Sequence, residues 1–255
     1  MKLLSNNKKK NTLLISMISL STFFLLWELL LTLFPVSETI IIKPSQILKA
    51  SITDYDIIGR ELIYTITEII PGWFLGNIIG FLSAILLYKR KNISKIFVNS
   101  SVILNAIPLI ALSAIIGGIM GLGRDSKILI ISIISFFPMF IITLQEFTNI
   151  QENHLDLMNS YSSSKKDLFK KIVLPKSLPS VMNTLKVGVI TAIFTAISSE
   201  FFGGYGGIGI FILTKKGLYN LELVWASILY VTLFGSIFYF TLELFQKRFI
   251  GWKHT

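Results

Sequence analysis

Five carboxylates stand within or at the ends of otherwise apolar stretches: Glu28, Glu68, Glu146, Glu200 and Glu243. A charged side chain in hydrocarbon costs at least about 2.5 kcal/mol, so each must be paired, near water or functional. Glu146 and Glu243 fall near one set of ends of these stretches and Glu200 near the other, where interfacial water is in reach. Glu28 and Glu68 are the candidates for contact with a solute path, with structural pairing or closeness to the outer interface as the other reading of each. The remaining inventory speaks against catalysis. His154 and His254 have no neighbouring ligand pattern, and the absence of cysteine removes thiolate metal sites and disulfides. Gly203, Gly204, Gly206, Gly207 and Gly209 crowd together, yet no Lys-Ser/Thr pair follows as in a phosphate-cradling loop. A flexible, exposed re-entrant turn is the expectation there. With no nucleophile motif and no Asp-rich run, no catalytic residue, cofactor or metal is expected.

The elements that must position these groups are set by hydropathy. Of 255 residues, 53% are hydrophobic and only 15% charged, and the mean hydropathy is +0.70. Apolar runs of about 20 residues suit a hydrocarbon core of about 30 Å and have no place in the interior of a soluble domain of this size. Six spans are expected: Leu13 to Phe34, Leu62 to Leu87, Phe97 to Gly121, Lys127 to Phe147, Val181 to Phe202 and Leu223 to Phe245. The first, though preceded by lysines, is too long for a signal peptide and lacks a small-x-small cleavage site, so it reads as a retained helix. The fold class is therefore all-α integral membrane. The net charge of +10 reflects basic residues on the cytoplasmic side, with no nucleic-acid partner expected. Sixteen Lys and Arg fall in the N-terminal segment, the second and fourth connections and the tail, against seven in the other connections. That asymmetry places both termini in the cytoplasm. Residues 1–12 form a cytoplasmic segment, 13–245 the transmembrane domain with a loop at 148–180, and 246–255 a cytoplasmic tail.

Gly72, Gly76, Gly80 and Ala84 recur every four residues in the second span, a small-residue stripe that lets helix backbones approach. Packing inside one subunit is the plain reading, and a subunit interface the functional one. The loop at 148–180 is long for a bare connector. Ser164 followed by Asp167 resembles a capping box, with a helix expected over Lys165 to Val173, and Pro175 and Pro179 are expected to end regular structure before the fifth span. Leu168, Phe169, Ile172 and Val173 share one apolar face, with Lys166, Lys170 and Lys171 toward water. Such a loop can lie on the anionic leaflet, pack under the bundle or dock a soluble partner.

The run from Asp156 to Pro175 resembles the cytoplasmic loop of permease subunits in binding-protein-dependent ABC importers, E-A-A, three residues, G, then a basic helix closing on I/V-x-L-P. Asp156 falls on the family's Glu, Ser162 on its Gly, Leu168-Phe169 on its L-F and Leu174-Pro175 on its L-P. Trp27-Glu28, Lys43-Pro44-Ser45, Thr65 with Gly72 and Gly76, Pro108, Gly121-Leu122-Gly123 with Lys127, Phe136-Phe137-Pro138, Glu200-Phe201, Gly207-Ile208-Gly209 and Trp252 are similar to the nitrate, sulfonate and taurine branch. The chain departs from the pattern at Asp156 and Ser162, at Glu68 where Arg is usual, and at Ala114 where Pro is frequent.

The resemblance implies the type I permease fold with six spans and a multi-pass subunit of the cell inner (plasma) membrane. It also implies a homodimer enclosing one path, two cytoplasmic ATPase subunits carrying the ATP chemistry, and an extracytoplasmic substrate-binding protein. The ATPase-coupling residues would be Asp156, Ser162, Ser163, Lys165, Leu168, Phe169, Ile172, Leu174 and Pro175. The solute would be a sulfonate, nitrate, taurine or vitamin precursor. The alternatives are an intramembrane enzyme, for which paired acid, base or metal residues are lacking, and an ion-coupled secondary transporter, which needs no docking loop.

Overall fold

The computed structural model describes residues 2–34, 36–37, 40–90, 107–149 and 164–250, with the side chains of 2–13, 110 and 165 outside that description. Regular structure among the described residues is helical: α1 (Lys2–Leu33), α2 (Pro44–Thr53), α3 (Tyr55–Leu87), α4 (Leu109–Met120), α5 (Arg124–Thr148), α6 (Lys165–Leu168), α7 (Leu174–Glu200), α8 (Ile208–Gly217) and α9 (Leu221–Phe249), with a π-helical turn Phe169–Val173 joining α6 to α7. Among the described residues, five stretches are long and apolar enough to cross a membrane: Leu14–Leu33, Tyr55–Leu87, Arg124–Thr148, Lys166–Glu200 and Leu221–Phe249. Ala111–Met120 is a shorter apolar helix, and the expected third span enters the described residues only from 107.

The chain divides into two compact units, Met1–Gly59 with Ile212–Tyr230, and Arg60–Phe211 with Val231–Thr255. In the first, α1 exposes nearly all its apolar side chains from Leu14 to Phe34, a surface suited to lipid. Both Glu28 oxygens are used on the first turn of α2, accepting from the Ser45 hydroxyl at 2.7 Å and the Ser45 amide at 3.0 Å. A carboxylate there satisfies an N–H that the helix cannot bond internally and faces the positive end of its dipole. Helix α2 went unnoticed in the sequence reading, although Pro44 at its start suits a first turn. It buries Ile47, Ala50 and Ser51, and the Tyr230 hydroxyl donates to the Ser51 carbonyl at 3.0 Å. The Trp27 and Trp225 rings meet edge to face with centroids 5.6 Å apart.

The second unit is built on the glycine stripe. A Cβ at Gly72 would lie 2.7 Å from Ile131 Cβ, one at Gly80 2.7 Å from the Phe136 carbonyl, and one at Gly76 would overlap the Ser132 carbonyl. Helix α3 therefore lies backbone against backbone on α5 within one chain. Lipid already solvates apolar side chains, so such close approach is what holds two membrane helices together. Ala84, fully buried, continues the line among Phe140, Leu144, Phe147 and Val173. Helix α5 also packs on α7. Between α3, α5, α7 and α9 lies a core of Ile69, Trp73, Ile131, Val189, Ala192 and Ala196, covered by Phe234, Phe238 and Leu242.

One expectation fails here. Pro175 and Pro179 do not end regular structure, because α7 starts at Leu174 and runs through both. Pro175 occupies the first turn, where its missing N–H has no helical partner to lose, and the preceding π-helical turn carries the chain in from α6.

Candidate functional site

The two ends of the second unit hold the residues of interest. At the Tyr88 end, Ser164 opens the helical run: its Oγ accepts the Asp167 amide at 3.1 Å while its hydroxyl donates to the Asp167 carboxylate at 2.5 Å. This satisfies one free N–H of the first turn, as a capping residue should. Asp167 also pairs with Lys171 at 3.6 Å on the exposed side. The stripe Leu168, Phe169, Val173 and Leu174 turns inward onto the cluster of Ala84, Phe140, Leu144 and Phe147. Phe169 stacks on Tyr88 with centroids 4.8 Å apart and meets Phe147 edge to face at 5.2 Å. Tyr88 in turn meets Phe147 at 5.8 Å, so three rings from three segments form one block.

That block changes how the apolar stripe is understood. Phe147 is buried and Tyr88 and Phe169 are half-buried, so much of the ring surface is spent on the chain's own contacts. What remains outward is Lys166, Lys170 and Lys171, all exposed, with Ile172 half-buried. Two polar ties brace the start of α7 against the end of α5: Lys176 Nζ donates to the Asn149 carbonyl at 3.1 Å, and the Ser180 hydroxyl donates to Glu146 at 2.8 Å. Asp156, Ser162 and Ser163 lie outside the described residues, as does the side chain of Lys165.

At the opposite end of α3, Glu200 is fully buried where the glycine-rich stretch folds back over it. It accepts the Thr65 hydroxyl at 2.7 Å and the Gly209 amide at 2.5 Å. Thr65 Oγ1 accepts the Ile208 amide at 2.8 Å, and Glu61 accepts the Gly207 amide at 2.8 Å. The amides of Gly207, Ile208 and Gly209, which lead into α8, are thus each claimed by a side chain of α3 or α7. Gly207 has φ +118, and a Cβ on it would overlap the Glu200 carboxylate. The stretch is held down rather than flexible as the sequence reading had it. Only Tyr205 stands well out, 86% exposed. Beneath it the ammonium of Lys127 fills the space a Gly204 side chain would need, and pairs with Glu68 at 3.7 Å. Glu68 is fully buried, and its partner Lys127 nearly so. Glu28, in the other unit, is occupied with α2. Glu68 is closed off in this chain, whereas Glu28 is half exposed. Lys186 and Glu243 form another pair, joining α7 to α9, with Lys247 bonding the same carboxylate at 3.2 Å.

Residues 76–251, which include the three-ring block, the glycine-rich stretch and the last span, match the family model described as binding-protein-dependent transport system inner membrane component. The chain belongs to that family. It is a permease subunit of an ABC importer and a multi-pass membrane protein. Among curated relatives it is similar to a probable ABC transporter permease protein of Haemophilus influenzae, 26% identical over 94% of this chain and 98% of the other. It is similar to the formylaminopyrimidine transport permease protein ThiX of Halalkalibacterium halodurans, 23% identical over 74% and 76%. The putative aliphatic sulfonates transport permease protein SsuC of Bacillus subtilis is 22% identical over 90% and 84%. A chain from an inward facing conformation of the MetNI methionine ABC transporter has the same fold, with a TM-score of 0.62 over 76% of this chain and 94% of that one, at 17% identity.

The importer permease fold explains why polar groups inside these spans are spent on one another. Glu200 is hydrogen-bonded by Thr65 and the start of α8, Lys186 pairs directly with Glu243, and Lys127 faces Glu68 at ion-pair distance with no hydrogen bond to its carboxylate. Sequence spacing could not show the side-chain pairs, because 57 to 135 positions separate the partners. The small-residue stripe was visible because its four-residue period falls within one helix.

Proposed function

We propose that this permease subunit pairs with a second copy around a single path, with two cytoplasmic ATPase subunits held at the 148–180 loop and a binding protein delivering solute from the far side. The observation that carries this reading is the described half of that loop: residues 165–176 are rooted in the bundle by their apolar face and hold Lys166 and Lys170 outward, with Lys171 exposed beside them and paired to Asp167. A docking element needs both properties, a rigid base and an unspent surface. Movement of the two loops toward each other as the ATPases close around ATP would open the bundle outward. Both termini would be cytoplasmic, with 1–12 and 246–255 flanking the transmembrane domain at 13–245. The solute would be a small organic or inorganic anion of the sulfonate, nitrate or taurine kind, or a vitamin precursor. The names of the relatives support both kinds.

The lack of native cysteine makes the test direct. A membrane-impermeant maleimide applied to intact cells should label Tyr205→Cys and leave Lys170→Cys untouched. In opened membranes Lys170→Cys should react, and should be protected when the ATPase subunit of the same system is bound. Labelling of Lys170→Cys from outside overturns the orientation, and equal labelling with and without the ATPase overturns the docking site.

A further inference from the structure

The π-helical turn and the ring beneath it have no role assigned above. We propose that Tyr88 is the positioning residue that makes the coupling segment and α3 move as one body, the inference resting on the docking reading just given. A π-helical turn widens the helix by one residue and interrupts the regular bonding ladder, which makes it a natural place to bend. Here it spans Phe169–Val173, carries the exposed Lys170 and Lys171 itself and leads directly into α7, so a push received there would otherwise be absorbed. Two of its side chains are fastened. Val173 is buried, and Phe169 is stacked flat on Tyr88 with planes 23° apart. Tyr88 directly follows the last residue of α3, and its amide donates to the Ala84 carbonyl at 3.0 Å, so the ring is an extension of that helix. Ala84 closes the glycine stripe that seats α3 on α5.

The chain of contact is therefore continuous. Segment to Phe169, Phe169 to Tyr88, Tyr88 to α3 and α3 through Gly80 to α5 leave no polar gap or exposed side chain between them. Phe147 closes the third side and keeps the stack from sliding toward α5, its ring perpendicular to that of Phe169 at 76°. An offset stack of this kind resists tilting while each ring keeps its place, which aliphatic packing of equal volume does not do. With the stack present, a displacement imposed at Lys170 reaches α3. Without it, the π-helical turn flexes and the displacement stops there.

Nitroxide labels at Lys171→Cys, whose ammonium is spent on Asp167 rather than left for a partner, and at Leu82→Cys, both exposed positions in a chain free of cysteine, read this without a known solute. The labelled permease is assembled with its ATPase subunit and measured nucleotide-free and trapped with ATP and vanadate. The expected result is one narrow distance that stays the same in both states. Tyr88→Phe should preserve it, since the flat ring remains. Tyr88→Leu, which keeps apolar volume and spares the fold, should broaden the distribution and shift it on trapping, and ATP hydrolysis should continue. A narrow, unshifted distance in Tyr88→Leu overturns the proposal, as does a distance that already shifts on trapping in the unsubstituted chain. Failure of the unsubstituted chain to hold the ATPase counts against the docking reading and is seen separately, in the assembly step.

Discussion

The two ends of the second unit are held by opposite means. At the Glu200 end, carboxylates, a hydroxyl and an ammonium are locked to backbone amides and to each other, with distances of 2.5 to 3.7 Å. At the Tyr88 end, three aromatic rings stack over an aliphatic floor. Directional bonds between buried charges tolerate little displacement, because any partner that moves leaves a desolvated charge behind. Ring contacts have no such threshold, and can shift as a unit while keeping most of their buried area. The docking role proposed above asks for both: an end that keeps its shape, and an end that receives a push.

The largest expected effect comes from removing what the two ends share. Gly76→Leu puts a branched side chain where the Ser132 backbone already stands, and neither α3 nor α5 can yield without separating along its length. Membrane abundance of the folded subunit should fall to near background, measured against the unsubstituted chain by fluorescence-detected size exclusion. Normal abundance would mean that α3 does not seat on α5 through its glycines, and the comparison of ends would lose its common base.

Next is the polar end alone. Lys127→Met leaves Glu68 buried without its cation, and breaking a buried pair from one side costs about 3 to 5 kcal/mol. The double replacement Lys127→Met with Glu68→Leu removes both charges and should recover most of that loss. Thermal unfolding in detergent checks both variants. If the double variant is no more stable than the single, Lys127 is held chiefly by Glu200 and the glycine-rich stretch rather than by Glu68. Either result says which bonds make that end rigid.

Legibility in the sequence followed the range of the interactions. Span positions, the glycine stripe and the Ser164 cap depend on neighbours within a turn or two, and each is visible as a period or a spacing. Helix α2 and helix α8 were missed because each is only ten residues long. A run that short is set by what its ends bond to, and those partners, Glu28 for one and Glu61, Thr65 and Glu200 for the other, are remote. The direction of the Phe169 ring was the most consequential gap. Its place on an apolar stripe was plain, but a stripe does not say whether its own bundle or another protein covers it. Tyr88 answers that, and nothing in its surroundings at the end of α3 marks it in advance.

The smallest expected effect separates the tip of the coupling segment from its root. Ser164 supplies one side-chain bond to the Asp167 amide, and loss of a capping hydroxyl typically costs about 1 kcal/mol. Asp167 would keep Lys171, but that pair is exposed and contributes at most about 1 kcal/mol. Ser164→Ala should therefore fray the first turn, Lys165–Leu168, without reaching Phe169, whose ring is fixed by contacts that do not involve the cap. Amide hydrogen exchange should rise about fivefold over those residues, the factor that 1 kcal/mol represents, and stay unchanged from Val173 onward. The melting temperature should not move, because local opening at a helix start lies far below the global barrier. Should exchange rise through Val173 and into α7 as well, the segment would be a single cooperative piece held from its tip, and the aromatic block would not be the point at which the moving end is anchored.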